Sequence, residues 1–231
     1  MVKNLGFLVF ALVGFASSAS ADVFTVPPGL APGDTYRLVF LTSTTTVAAS
    51  SNINYYNSFV TNTADSVPAL AALNATWTAI ASTEFVDAAT NIGASTSGIY
   101  LLNGTEVAAS TAALFNTFHT PLDAPINVDE NGNGVPETAV WTGTDATGSG
   151  EPGFELGVFG VAGDGDNQKT NSLAFFQGHV IEANQFPMYA ISSVLTVPVA
   201  VPEPSTGGLI ALVLAALLLE LMRRKKSSAN R

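Results

Sequence analysis

Short runs of apolar, β-favouring residues recur through the middle of the chain, separated by stretches rich in Gly, Asn, Ser and Thr. Tyr36-Arg37-Leu38-Val39-Phe40-Leu41 follows a Pro32-Gly33 turn and is apolar at all but one position, which predicts a buried strand. Trp77-Thr78-Ala79-Ile80-Ala81 predicts a second strand. Ile99-Tyr100-Leu101-Leu102 runs into Asn103-Gly104, and Thr105-Glu106-Val107-Ala108 returns, the pattern of a β-hairpin. Further strands are predicted over 140–143, 156–159 and 189–197. Helical spacing is clearest where Ile53, Tyr56, Phe59 and Val60 fall on one face. Two shorter helices are predicted over 84–91 and 110–118. Few helices among many short strands and long loops predict an α+β domain.

The two ends have a different pattern. Lys3 precedes an apolar run over 5–15, and the small-residue stretch Ala16-Ser17-Ser18-Ala19-Ser20-Ala21 follows. A charged start, a short apolar core and an Ala-x-Ala end at Ala19 and Ala21 are the three parts of a secretory signal peptide, cut after Ala21. The alternative is an N-terminal membrane anchor, for which the run is short. At the other end, Pro202-Glu203-Pro204 precedes an apolar stretch over 207–222 and the basic cluster Arg223-Arg224-Lys225-Lys226. Those 16 residues, interrupted by Glu220, reach roughly 24 Å as a helix, against the ~30 Å hydrocarbon core. Flanking charges bridge such a gap by snorkelling. The basic cluster stays cytoplasmic by the positive-inside rule. The expected organisation is a signal peptide over 1–21, an extracellular or periplasmic domain over 22–198, and a membrane-associated tail over 199–231.

Charge sharpens this division. Of eight Lys and Arg residues, only Arg37 and Lys169 lie between the two ends. From Asp22 to Thr206 they face seventeen Asp and Glu, a net of −15. So acidic a surface repels phosphates and excludes nucleic acid as a partner. It fits two other readings, solubility and binding of divalent cations. Cysteine is absent, so no disulfide, thiolate metal site or cysteine nucleophile exists, and a hydrophobic core must hold the fold.

The clearest chemical motif is Asp129-Glu130-Asn131-Gly132-Asn133-Gly134. Asp129, Asn131 and Asn133 alternate as oxygen ligands do in the first half of a Ca²⁺ loop. The twelfth position, where an EF-hand needs a bidentate Glu, is Val140. The same residues suit a solvated Asx/Gly turn, and both readings stay open. Gly163-Asp164-Gly165-Asp166-Asn167-Gln168 is a second stretch that fits either a cation site or a flexible loop. His119 and His179 are the only histidines, and neither belongs to a hydrolase motif. Trp77 and Trp141 suit either sugar stacking or core packing, and their apolar surroundings favour the core.

The order of Pro202-Glu203-Pro204, apolar helix and Arg/Lys cluster closely resembles the PEP-CTERM sorting signal of Gram-negative bacteria. The resemblance implies a membrane protease-transpeptidase, an exosortase, as partner. It further implies passage through the secretion machinery, transient anchoring in the inner membrane, and delivery to the cell surface or extracellular matrix. Association with exopolysaccharide in a biofilm is part of the same implication. Between the ends, Trp77 to Thr83, Asp87-Ala88, Asn91, Ile99 to Thr105, Leu114-Phe115, Pro125 to Glu130 and Val140 to Thr144 resemble, in order, bacterial extracellular domains of the C-type-lectin and endostatin kind. That implies a β-rich binding module, not an enzyme, and the exopolysaccharide association implied by the sorting signal makes a glycan the expected ligand, with Ca²⁺ as a candidate cofactor. A structural matrix module with no small ligand and a secreted hydrolase acting on polysaccharide are the alternatives.

Overall fold

The computed structural model describes residues 23–158 and 160–199. Signal residues Ala19 and Ala21, the sorting motif Pro202, Glu203 and Pro204, and the cluster Arg223, Arg224, Lys225 and Lys226 lie outside the described residues, as does the expected C-terminal membrane helix. Among the described residues no helix is long and apolar enough to cross a membrane. The described chain falls into two compact units, residues 23–30 with 35–195, and residues 31–34 with 196–199. In the small unit, the Gly33 N–H donates to the Val197 carbonyl at 3.0 Å, and the Val197 N–H donates to the Asp34 carbonyl at 2.9 Å.

The large unit is mixed α+β. Its main sheet is built on β1 (Thr35–Leu41), whose last six residues are buried. A near-continuous apolar run makes a strand covered on both faces, and this one is central. It pairs parallel with β3 (Gly98–Leu101) and antiparallel with β8 (Tyr189–Ser192). Beyond them lie β4 (Glu106–Ala108) and β2 (Trp77–Ala79), giving the order β2-β8-β1-β3-β4. The hairpin β3–β4 turns at Asn103-Gly104 as predicted: Gly104 has φ 86°, and Asn103 Oδ1 accepts from the Thr105 N–H at 3.0 Å. A separate three-stranded antiparallel sheet runs β5 (Ala139–Trp141), β6 (Val161–Asp166), β7 (Gly178–Ile181).

The core takes the place of disulfides. Leu38, Phe40, Tyr56, Trp77, Ile80, Ile99, Trp141 and Tyr189 are all buried, and a fully buried large apolar side chain contributes about 1.5–3 kcal/mol. Trp77 packs edge-on to Phe40 at 5.1 Å, and Trp141 lies against Phe186 at 4.8 Å. Trp141 Nε1 donates to the Thr46 carbonyl at 3.0 Å. Both tryptophans are therefore core residues.

Helix α1 (Ile53–Asp65) starts at Asn52, whose side chain accepts from the Asn54 N–H, a capping bond for an orphan donor. The predicted face is the buried one, through Tyr56 and Val60. α1 also finishes the edge of the main sheet at β2. Thr61 Oγ1 donates to the Trp77 carbonyl at 3.1 Å, and the Ala79 N–H donates to Asn57 Oδ1 at 2.9 Å. Asn91 Nδ2 donates to the Ala79 carbonyl at 2.8 Å.

Other expectations need correction. The helix expected over 84–91 is α3 (Ala88–Ile92); 84–87 form a turn, with the Thr83 and Val86 backbones bonded to each other. The helix expected over 110–118 is α4 (Thr111–Leu114), capped by Ser110. Pro68 opens an unexpected α2 (Pro68–Ala71), where the missing N–H costs nothing. The strand expected over 156–159 is reduced to one bridge between Thr83 and Leu156, with residue 159 outside the described residues. The run 189–197 breaks after Ser192 and resumes as a two-residue strand, Leu195–Thr196. β6 takes up 163–166 of the Gly163–Gln168 stretch, and Asn167-Gln168 form the turn that follows.

Candidate functional site

A cleft of about 740 Å³ opens where α3, α4 and the loop after β5 meet. Its walls carry Ser95, Thr96, Ser110, Thr111, Phe115 and Thr147, with three alanines between them. No lining side chain is charged. The walls are tied by backbone bonds. The Thr111 N–H donates to the Ser95 carbonyl at 3.0 Å, and the Ala89 N–H donates to the Gly148 carbonyl at 2.9 Å. Gly148 has φ 82°, and a Cβ there would lie 2.7 Å from the Phe115 ring and 2.9 Å from Ala89 Cβ. Only glycine lets this loop close on the cleft.

Beneath the cleft lies Arg37, the one polar residue of the β1 run, 2% exposed. Its Nε donates to the Ser192 carbonyl at 2.7 Å and one terminal nitrogen to the Ile92 carbonyl at 2.9 Å. The other reaches the Gly93 carbonyl and Thr111 Oγ1, each at 3.4 Å. Ile92 and Gly93 close α3, so the guanidinium caps the negative end of a short helix. Burial lowers its pKa to about 10, and it stays charged at neutral pH. Arg37 thus links strand β1, strand β8, helix α3 and the cleft wall.

Two loops of one design flank this region. In the first, Asp129 Oδ1 accepts from the N–H groups of Asn131 at 2.9 Å and Asn133 at 2.8 Å. In the second, Asp145 Oδ1 accepts from the N–H groups of Thr147 at 2.8 Å and Ser149 at 3.0 Å. Each loop also bonds the aspartate N–H to the carbonyl four residues on, and each turns through a glycine, Gly132 or Gly148, at φ 82°. The shared geometry follows a shared spelling, Asp-x-x-Gly-x-Gly, at 129–134 and 145–150. Only the first copy stands out in the sequence, through its asparagines, and the second is the one that reaches the cleft, through Thr147.

The proposed Ca²⁺ ligands Asp129, Asn131 and Asn133 are thus brought together, but closed on themselves. Both Asp129 oxygens accept from loop donors, the second from Asn133 Nδ2 at 3.3 Å. Asn131 Nδ2 donates to Glu130 Oε1 at 3.4 Å. The Asx turn accounts for these bonds, and a calcium site takes 6–8 oxygens directed at the ion. Among the described residues no group of three or more His, Asp or Glu is placed to hold a metal ion. Glu130, buried at 3% exposure, accepts from both the N–H and the hydroxyl of Ser43, pinning the loop to the chain that leaves β1.

No protein-family model matches the chain, and no curated protein is similar to it.

The remaining candidates are dispersed. Asp164 faces Gly178 across β6–β7. Its Oδ2 accepts from Gln177 Nε2 at 2.9 Å, while Oδ1 has no partner, and burial raises its pKa. Asp166 pairs with Lys169 at 3.3 Å. His179 is exposed and stacks on Phe154 at 4.2 Å, and His119 is exposed on a loop. The cleft had no signal in the sequence beyond the second Asp-x-x-Gly-x-Gly spelling, because serines and threonines are too common in this chain to stand out.

Proposed function

We propose that this chain is an exported surface or extracellular-matrix protein, sorted through a PEP-CTERM signal, whose α+β ectodomain binds a glycan. The carrying observation is the 740 Å³ cleft, with hydroxyls set among methyl groups beside Phe115. Binding sites of this volume combine apolar surface with a few placed polar groups, and a sugar ring offers both an apolar face and hydroxyls. The comparison with C-type-lectin-like domains belongs to this proposal, as does the exosortase as processing partner. In the bound state the ectodomain lies outside the inner membrane, next to polysaccharide.

The cleft reading is tested with the full chain in detergent on an array of oligosaccharides. Retention is expected on at least one glycan, with and without chelator. Gly148→Val, which drives a side chain into Phe115 and Ala89, is expected to lower retention about tenfold or more. Absence of retention on every glycan rejects the reading. The sorting reading has its own test. Changing Pro202, Glu203 and Pro204 to Ala is expected to leave the uncut chain in the inner-membrane fraction, where the parent chain is found shortened and outside it. Identical fractionation of the two chains counts against the sorting signal.

A further inference from the structure

We infer that the cleft selects uncharged saccharides and rejects polyuronates; this rests on the glycan reading and narrows it. Three hydroxyls of the wall are half committed, and each commitment can be read from its partner; a fourth, Thr111 Oγ1, is fully committed to Arg37 and the Gly93 carbonyl. Ser95 Oγ accepts from the Ser97 N–H at 3.0 Å, and Ser110 Oγ accepts from the Ala113 N–H at 3.1 Å. Each therefore keeps its own proton to donate. Thr147 Oγ1 does the reverse. It donates to Asp145 Oδ1 at 2.7 Å, and an ionised carboxylate only accepts, so Thr147 presents lone pairs. The cleft offers donors on one wall and an acceptor on another. A sugar hydroxyl donates and accepts at once and can satisfy both; a carboxylate can satisfy only the donors.

Charge acts in the same direction. Asp145 stands one hydrogen bond behind a lining hydroxyl. Its loop carries further acid: Asp87 Oδ1 accepts from the Gly150 N–H at 2.8 Å, and Glu155 Oε1 lies 3.4 Å from where a Gly150 Cβ would be. Burial, Asp145 and Glu155 together raise the pKa of Glu151, a further sign of crowded negative charge here. Arg37 stands behind Thr111 with one positive charge, and Asp145, Asp87 and Glu155 outnumber it.

The test uses the full chain in detergent, with maltoheptaose as the neutral probe and oligogalacturonate as the acidic one, by calorimetry at low and high salt. The neutral probe is expected to bind about tenfold or more tighter at low salt, with the gap narrowing as salt screens the acidic wall. Asp145→Asn keeps an acceptor for the loop and removes the charge, and is expected to narrow the gap at low salt. Oligogalacturonate binding as tightly as maltoheptaose, or a gap indifferent to both salt and Asp145→Asn, overturns the inference while the glycan reading stands. If neither these probes nor any arrayed glycan binds, the glycan reading falls and this inference with it. Should Asp145→Asn fail to fold, the salt series on the parent chain decides.

Discussion

Replacing Arg37 with Met is expected to lower the free energy of unfolding by about 2–5 kcal/mol, because buried carbonyls lose the donor that satisfies them. The loss comes from the partners left behind. Carbonyls of Ile92 and Ser192 are bonded to this side chain, while the Gly93 carbonyl keeps a bond from Thr111 Oγ1. A buried carbonyl stripped of its donor keeps its full desolvation penalty, about 1–3 kcal/mol. Met fills much of the volume, so the experiment isolates the hydrogen bonds from the packing. Arg37→Lys is expected to recover only part of the loss, since an ammonium lacks the planar fork that reaches three elements together. Urea unfolding of the full chain in detergent, followed through the buried Trp77 and Trp141, measures both. A loss below about 1 kcal/mol in Arg37→Met would show that water replaces the guanidinium, contrary to this account.

Gly165→Ala is the second large effect. A Cβ at this position would sit 2.1 Å from the Ala174 carbonyl oxygen and 2.8 Å from its carbon. Those are backbone atoms of a neighbouring turn and cannot swing aside as a side-chain tip does. Overpacking of this kind costs about 1–3 kcal/mol, occasionally more, and the upper end is expected here. The control is Gly134→Ala, where nothing lies within 4 Å of the added carbon and no positive φ is required; a change within about 0.5 kcal/mol is expected. Melting curves of the two variants, side by side, give the comparison. Equal stability of both would mean that β6 does not pack against the Ser172–Ala174 turn as described.

These two positions mark where the sequence was legible and where it was not. The β1 run announced itself because five of its six positions are apolar, and the hairpin because Asn103-Gly104 demands its own turn. Arg37 reads within that run only as an interruption, since its value depends on carbonyls up to 155 residues away. The Gly163–Gln168 stretch reads as a loop because Gly and Asp disfavour strands. Its first four residues are strand because their glycines make room for a turn that no local pattern reveals. The same blindness hid the cleft. Ser95, Ser110 and Thr147 lie far apart in a chain full of hydroxyls, and only the fold sets their donors and acceptors against one another. The Asp-x-x-Gly-x-Gly repeat was visible all along, as a spelling whose second copy lacks the asparagines that made the first one noticeable.

The finished edge at β2 has a consequence for crowding. An exposed strand edge is a template on which another chain can add itself. Here the amides of Asn57 and Asn91 and the hydroxyl of Thr61 take the places a neighbouring strand would fill. A sheet closed in this way gives neighbouring copies of the chain nothing to continue. Asn57→Leu with Thr61→Val would reopen that border and offer a second copy a template for strand addition.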